Sequence, residues 1–118
     1  MRVFCLLLFL SISGPAQAET TTRSFLLEYD KATEDGQRFL VSFLGGLLAA
    51  YTWANVTLKA ESKPPLFCPN AQFGREAEDP IKLLRRIAGG DPAMLEVPVG
   101  AAVLTNLKRR FPCRETEE

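Results

Sequence analysis

The residues of this chain that could do chemistry are few and scattered. No histidine occurs among its 118 residues, which removes the commonest general base and the commonest transition-metal ligand together. Ser24, Ser42 and Ser62 therefore have no imidazole to activate them as nucleophiles. Three cysteines are present, Cys5, Cys68 and Cys113. The last two, without a histidine, fall short of a tetrahedral zinc shell unless carboxylates complete it. Carboxylates stand in adjacent pairs at Glu34-Asp35 and Glu78-Asp79, the side-chain type that glycosidases use in twos. Both pairs lie where a turn ends or a helix begins, and the helix dipole favours acidic residues there, so they read as structural. Gly45-Gly46 and Gly89-Gly90 match no phosphate-binding spacing. Enzyme activity is not expected, and neither a cofactor nor a metal ion is implied.

The charge balance excludes another class. Lys plus Arg and Asp plus Glu both number 14, for a formal net charge of +0. A nucleic-acid partner lacks its electrostatic basis. The cluster Lys108-Arg109-Arg110 suits a solvated helix end as well as it suits an acidic partner. Trp53 with Tyr51 reads as a partly buried helix face rather than an aromatic binding patch. With 47% apolar residues the chain can close a core.

The first eighteen residues read as an address. Met1-Arg2 is a short positive start, Val3 to Ile12 is apolar but for Ser11, and Ser13-Gly14-Pro15 breaks any helix. Ala16-Gln17-Ala18 then presents small residues to a signal peptidase. The expectation is a signal peptide over 1–18, cleaved before Glu19, and a single domain over 19–118. Cys5 leaves with the peptide. The remaining pair, Cys68 and Cys113, lie 45 positions apart and, in an exported chain, read as one disulfide.

The elements that position these residues are helical. Thr22 or Ser24 is expected to cap a first helix over Phe25 to Tyr29, and Asp30 to Gly36 reads as a turn. Gln37 to Ala60 is expected to be one long helix. Its row Phe39, Phe43, Leu47 and Tyr51 is taken as the core face, with Leu40, Leu44 and Leu48 beside it. Ser42, Gly46, Ala50 and Ala54 form a ridge of small residues. Gly45 and Gly46 each cost about 1 kcal/mol against alanine in a helix interior, so a tightly packed helix is expected against them. No charge falls between Phe39 and Leu58, a length that could cross a membrane. Ser42, Thr52, Asn55 and Thr57 oppose that, and no membrane insertion is expected after signal cleavage. Asn55-Val56-Thr57 matches a glycosylation acceptor but falls mid-helix and reads as chance.

Glu61 to Asp79 reads as irregular, since Pro64, Pro65 and Pro69 deny helix. Asp79-Pro80 opens a helix that Gly89-Gly90 ends, with Ile81, Leu84, Ile87 and Ala88 inward. Asp91-Pro92 starts about one turn more. Pro98 opens a last helix carrying Val99, Val103, Leu107 and Phe111 at spacing four, and Pro112 stops it. No alternating β-branched run is present, so no sheet is expected. The expected fold is all-α, a compact bundle of four to five helices stapled by one disulfide. Its core is Phe39, Phe43, Leu47, Tyr51, Leu84, Ile87, Val103, Leu107 and Phe111.

A glycine-containing central helix, a proline-rich loop ending Leu66-Phe67-Cys68-Pro69, a helix, the turn at Asp91-Pro92 and a close on Phe111-Pro112-Cys113 together form a pattern. It resembles the Rap/Tai family of immunity proteins associated with type VI secretion in Gram-negative bacteria, over roughly Ser24 to Cys113. The resemblance implies a periplasmic helical protein that binds a delivered peptidoglycan amidase and occludes its active site. Some members act as homodimers, which makes a second copy a candidate partner. Occlusion needs a rigid patch rather than catalytic residues, and a disulfide would lower the ordering cost of the Glu61 to Asp79 loop. Phe73 and Arg75 on that loop are the candidate partner-binding residues. The equal alternative is that Phe67 and Phe73 only cover the core.

Overall fold

Thr21, not Thr22 or Ser24, opens the first helix. Its hydroxyl accepts the Ser24 N–H, and α1 runs Thr22–Lys31. Thr22 is displaced inward because its N–H and its hydroxyl both donate to the Val97 carbonyl. The structure is a computed structural model that describes residues 19–114. The expected signal peptide, Cys5 within it and the final four residues of the tail lie outside the described residues.

The expected turn at Asp30 to Gly36 shortens to Ala32 and Thr33. Thr33 caps the long helix by accepting the Gly36 N–H, and α2 spans Glu34–Ala60. Glu34 and Asp35 in its first turn suit the helix dipole. Helix α3, Ala71–Ala77, lies inside the stretch expected to be irregular. Asn70 starts it by accepting the Gln72 and Phe73 N–H groups, immediately after Pro69 has ended the extended run. Asp79 caps α4, Pro80–Gly90, and Asp91 caps the 3-10 turn Pro92–Glu96. Helix α5 covers Val99–Arg110, with Pro98 at its cap position and no side-chain bond from that residue. Glu19 supplies the bond instead: its carboxylate accepts the Gly100 N–H at 2.9 Å. Among the described residues the only extended pairing is an isolated antiparallel bridge between Thr21 and Pro98. The architecture is an all-α bundle with one disulfide among the described residues.

The core combines Phe25, Leu40, Leu44, Leu48, Phe67, Leu83, Leu84, Ile87, Val99, Val103, Leu107 and Phe111. Leu84, Ile87, Val103, Leu107 and Phe111 are buried as expected. The inward face of α2 is not the expected one. Phe39 is 73% exposed and Phe43 46% exposed, while Leu40, Leu44 and Leu48 are buried. A row at spacing four turns about 40° round the helix at each step, because four residues exceed one 3.6-residue turn. The Phe39 row therefore begins in solvent and reaches the core margin only at Leu47 and Tyr51, which are half-buried. On α4 Leu83 is buried and Ile81 only partly so. Among the described residues no helix packs against Gly45 and Gly46 as expected, since a Cβ at either would meet nothing within 4 Å.

Candidate functional site

The proline-rich segment and the end of α5 converge on the disulfide. Cys68 and Cys113 are bonded, with Cα atoms 5.0 Å apart. The Cys68 N–H also donates to the Phe111 carbonyl at 2.8 Å, so the junction has a backbone bond beside its covalent one. From α2, Asn55 fixes the same segment. Its amide donates to the Phe67 carbonyl at 2.8 Å and its oxygen accepts the Leu66 N–H at 2.7 Å. Asn55 is buried, so the acceptor motif it heads is shielded in the fold. Proline-interrupted backbone cannot pair with itself, and this side chain satisfies two of its polar groups.

Phe73 and Arg75 lie on α3 rather than on an irregular loop, and the fold uses them differently. The Phe73 ring sits between Phe67 and Phe111, with centroids 5.5 and 5.8 Å away. It is half-buried against the core. Arg75 is exposed on the rim of a cleft of about 360 Å³ between α3 and α4, alongside Lys82 and Arg86. The floor of that cleft holds Glu76, whose side chain is 7% exposed. Its carboxylate meets Arg86 of α4 at 2.7 Å and Arg110 of α5 at 2.7 Å. One carboxylate thus ties three helices. Sequence reasoning missed it because α3 itself was not expected, and no spacing rule connects charges on three helices.

A second hollow of about 620 Å³ crosses the disulfide junction, and Lys59, Arg110 and Arg114 line it. The surface around α3 and the junction is therefore rich in cationic groups. Of the basic run on α5, Lys108 is exposed, Arg109 reaches Asp91 at 3.3 Å, and Arg110 is held by Glu76. The acidic pairs have local duties. Glu34 and Asp35 both meet Arg38, and Asp79 caps α4. Among the described residues no three Cys, Asp or Glu side chains come together as a metal-holding group.

Trp53 departs from its expected half-buried setting: it is 69% exposed. Tyr51 turns the other way and donates to the Gly100 carbonyl at 2.6 Å. Partial burial, and then the negative charge of Glu19, push the Tyr51 hydroxyl above its usual pKa.

No known protein family, curated protein or solved structure matches this chain.

Proposed function

We propose that this chain is an exported immunity-type protein that binds a peptidoglycan amidase toxin of type VI secretion and neutralises it by occlusion in the periplasm. The observation that carries the reading is the junction itself. The two segments on which the Rap/Tai resemblance rests, Leu66-Phe67-Cys68-Pro69 and Phe111-Pro112-Cys113, meet across one disulfide and one backbone bond. Lys59 and Arg110, the latter paired with Glu76, line the hollow at that junction, and Arg75 lies on the neighbouring α3–α4 cleft. Such a platform loses little entropy when a partner docks, and its cationic rim suits an acidic partner surface. Of the expected pair, the exposure of Arg75 supports it as the contact residue, while Phe73 packs beneath α3 against Phe67 and Phe111.

The test is a pull-down from periplasm with the tagged chain, followed by a peptidoglycan digestion assay. The reading expects one tight partner with amidase activity, abolished at equimolar addition of this protein. Recovery of no peptidoglycan hydrolase would overturn it. A second reading, an envelope interaction or chaperone-like role without a toxin, draws on exposed Phe39 and Trp53. That reading expects suppression of aggregation of unfolded clients instead.

A further inference from the structure

We propose that the hollow between the end of α4, the 3-10 turn and the end of α5 binds the carboxyl end of an amino acid or short peptide. The group recognised is a carboxylate with an N–H on the neighbouring carbon. The hollow holds about 290 Å³, room for a single residue rather than a drug-sized ligand. It shares only Arg86 with the α3–α4 cleft and only Arg110 with the hollow at the disulfide.

Asn106 lines this hollow from α5. Its Oδ1 is buried and has no hydrogen-bond partner among the described residues. An acceptor in that state costs stability unless a donor reaches it. The Cβ–Cγ torsion of asparagine is soft, so a modest turn presents the oxygen to an occupant. An N–H on the occupant satisfies it.

The rest of the polar wall calls for an anion. Arg86, Arg109 and Arg110 all line the hollow. The Glu76 carboxylate is shared between Arg86 and Arg110, and Asp91 meets Arg109 at 3.3 Å. Three guanidiniums thus stand against two carboxylates, which leaves one positive charge unmatched. A guanidinium has five N–H donors, and Arg86 and Arg109 each give one to those carboxylates. The donors left over suit a further carboxylate, which arginine grips as a fork. Ile87 and Met94 add an apolar wall for an aliphatic side chain.

Gly90 keeps the space open. It is the last residue of α4 and lines the hollow. Its φ is not positive, and a Cβ there would meet nothing within 4 Å. Neither backbone conformation nor crowding requires a glycine, which is a poor helix former. An occupant gives the missing side chain a use.

Calorimetric titration of the purified chain with N-acetyl-leucine tests this. No toxin partner is in the cell, so the result is independent of the amidase reading. A dissociation constant of about 0.1–1 mM is expected. N-acetyl-leucinamide lacks the carboxylate and acetate lacks the N–H, so each should bind at least about tenfold more weakly. Leucine itself is the remaining arm. N-acetyl-leucine binding more tightly than leucine assigns the site to peptide ends, and the reverse order assigns it to free amino acids.

Asn106→Leu removes the stranded acceptor at similar volume. It should raise the melting temperature by about 1–3 °C while weakening N-acetyl-leucine at least about tenfold. A purely structural Asn106 would lose stability on the same change. Gly90→Leu has open space around it, so the variant folds, and its side chain should block binding. No binding at about 10 mM, N-acetyl-leucinamide or acetate as tight as N-acetyl-leucine, unchanged affinity in either variant, or a lower melting temperature in Asn106→Leu would each overturn the proposal.

Discussion

Asn55 on the long helix holds Phe67 of the proline-rich segment, its amide donating to the Phe67 carbonyl at 2.8 Å. With its oxygen accepting the Leu66 N–H at 2.7 Å, one side chain satisfies a donor and an acceptor of the Leu66-Phe67 backbone. Phe67 is completely buried beside it. The rest of the junction builds on this anchor, because Cys68 is the next residue.

Asn55→Leu keeps the volume and removes both bonds. The Leu66 N–H and Phe67 carbonyl are left unsatisfied, so stability should fall by about 2–4 kcal/mol, read as a lower urea midpoint. A change under about 0.5 kcal/mol would mean that water replaces the amide.

Removing the cross-link should cost a comparable amount. Replacing Cys68 and Cys113 together by serine frees a loop of 45 positions, worth about 4 kcal/mol of unfolded-state restraint in the chain-entropy model. Alkylation of the native protein, denatured without reductant, checks the bond directly. Labelling at either position would remove it from the native protein.

Glu76 should be the most sensitive carboxylate. Glu76→Gln weakens contacts to Arg86 and Arg110 at once. Because Arg86 is half exposed, solvent screens part of the effect, and a loss of about 1–2 kcal/mol is expected. Thermal unfolding of Arg86→Ala, Arg110→Ala and the pair measures how far the two contacts are coupled.

Phe73 and Arg75 should separate cleanly. Phe73→Ala empties the space between two rings and should cost about 2 kcal/mol, less than for a fully buried phenylalanine. Arg75→Ala should change stability by less than about 0.5 kcal/mol while lowering affinity for the proposed amidase partner. Titration calorimetry beside denaturation assigns each residue its role. Unchanged affinity in Arg75→Ala removes α3 from the contact surface.

Tyr51 gives the chain an alkaline weakness. Its pKa is raised in the fold by burial and by Glu19, so the folded chain holds that proton more tightly than the unfolded chain does. The associated stability is whole below pH of about 10, the ordinary tyrosine value, and is lost as pH climbs through the folded-state value. Tyr51→Phe should flatten this limb of the stability curve, at the cost of about 1 kcal/mol for the bond to Gly100. A limb that persists unchanged in Tyr51→Phe would assign it to another group.

Much of the fold is written locally. Asp79-Pro80, Asp91-Pro92 and Pro98 mark their helix starts because proline and acidic caps act within one turn. The Val99, Val103, Leu107 and Phe111 row is legible because α5 is short, so a spacing-four ridge stays within the buried arc. On 27-residue α2 the same rule fails, since the ridge winds from solvent to core along its length. α3 was hidden because seven residues between a proline loop and an aspartate cap carry too little periodicity to register.

The sequence by itself determined the helical class, the starts of α4, the 3-10 turn and α5, and the pairing of Cys68 with Cys113. The helical features follow from backbone chemistry, and the pairing from the expectation that Cys5 belongs to a signal peptide. Only the tertiary structure decided which side of α2 faces inward, that Glu76 joins three helices, and that Glu19 caps α5. These depend on contacts between residues distant in sequence, whose geometry exists only once the helices have packed.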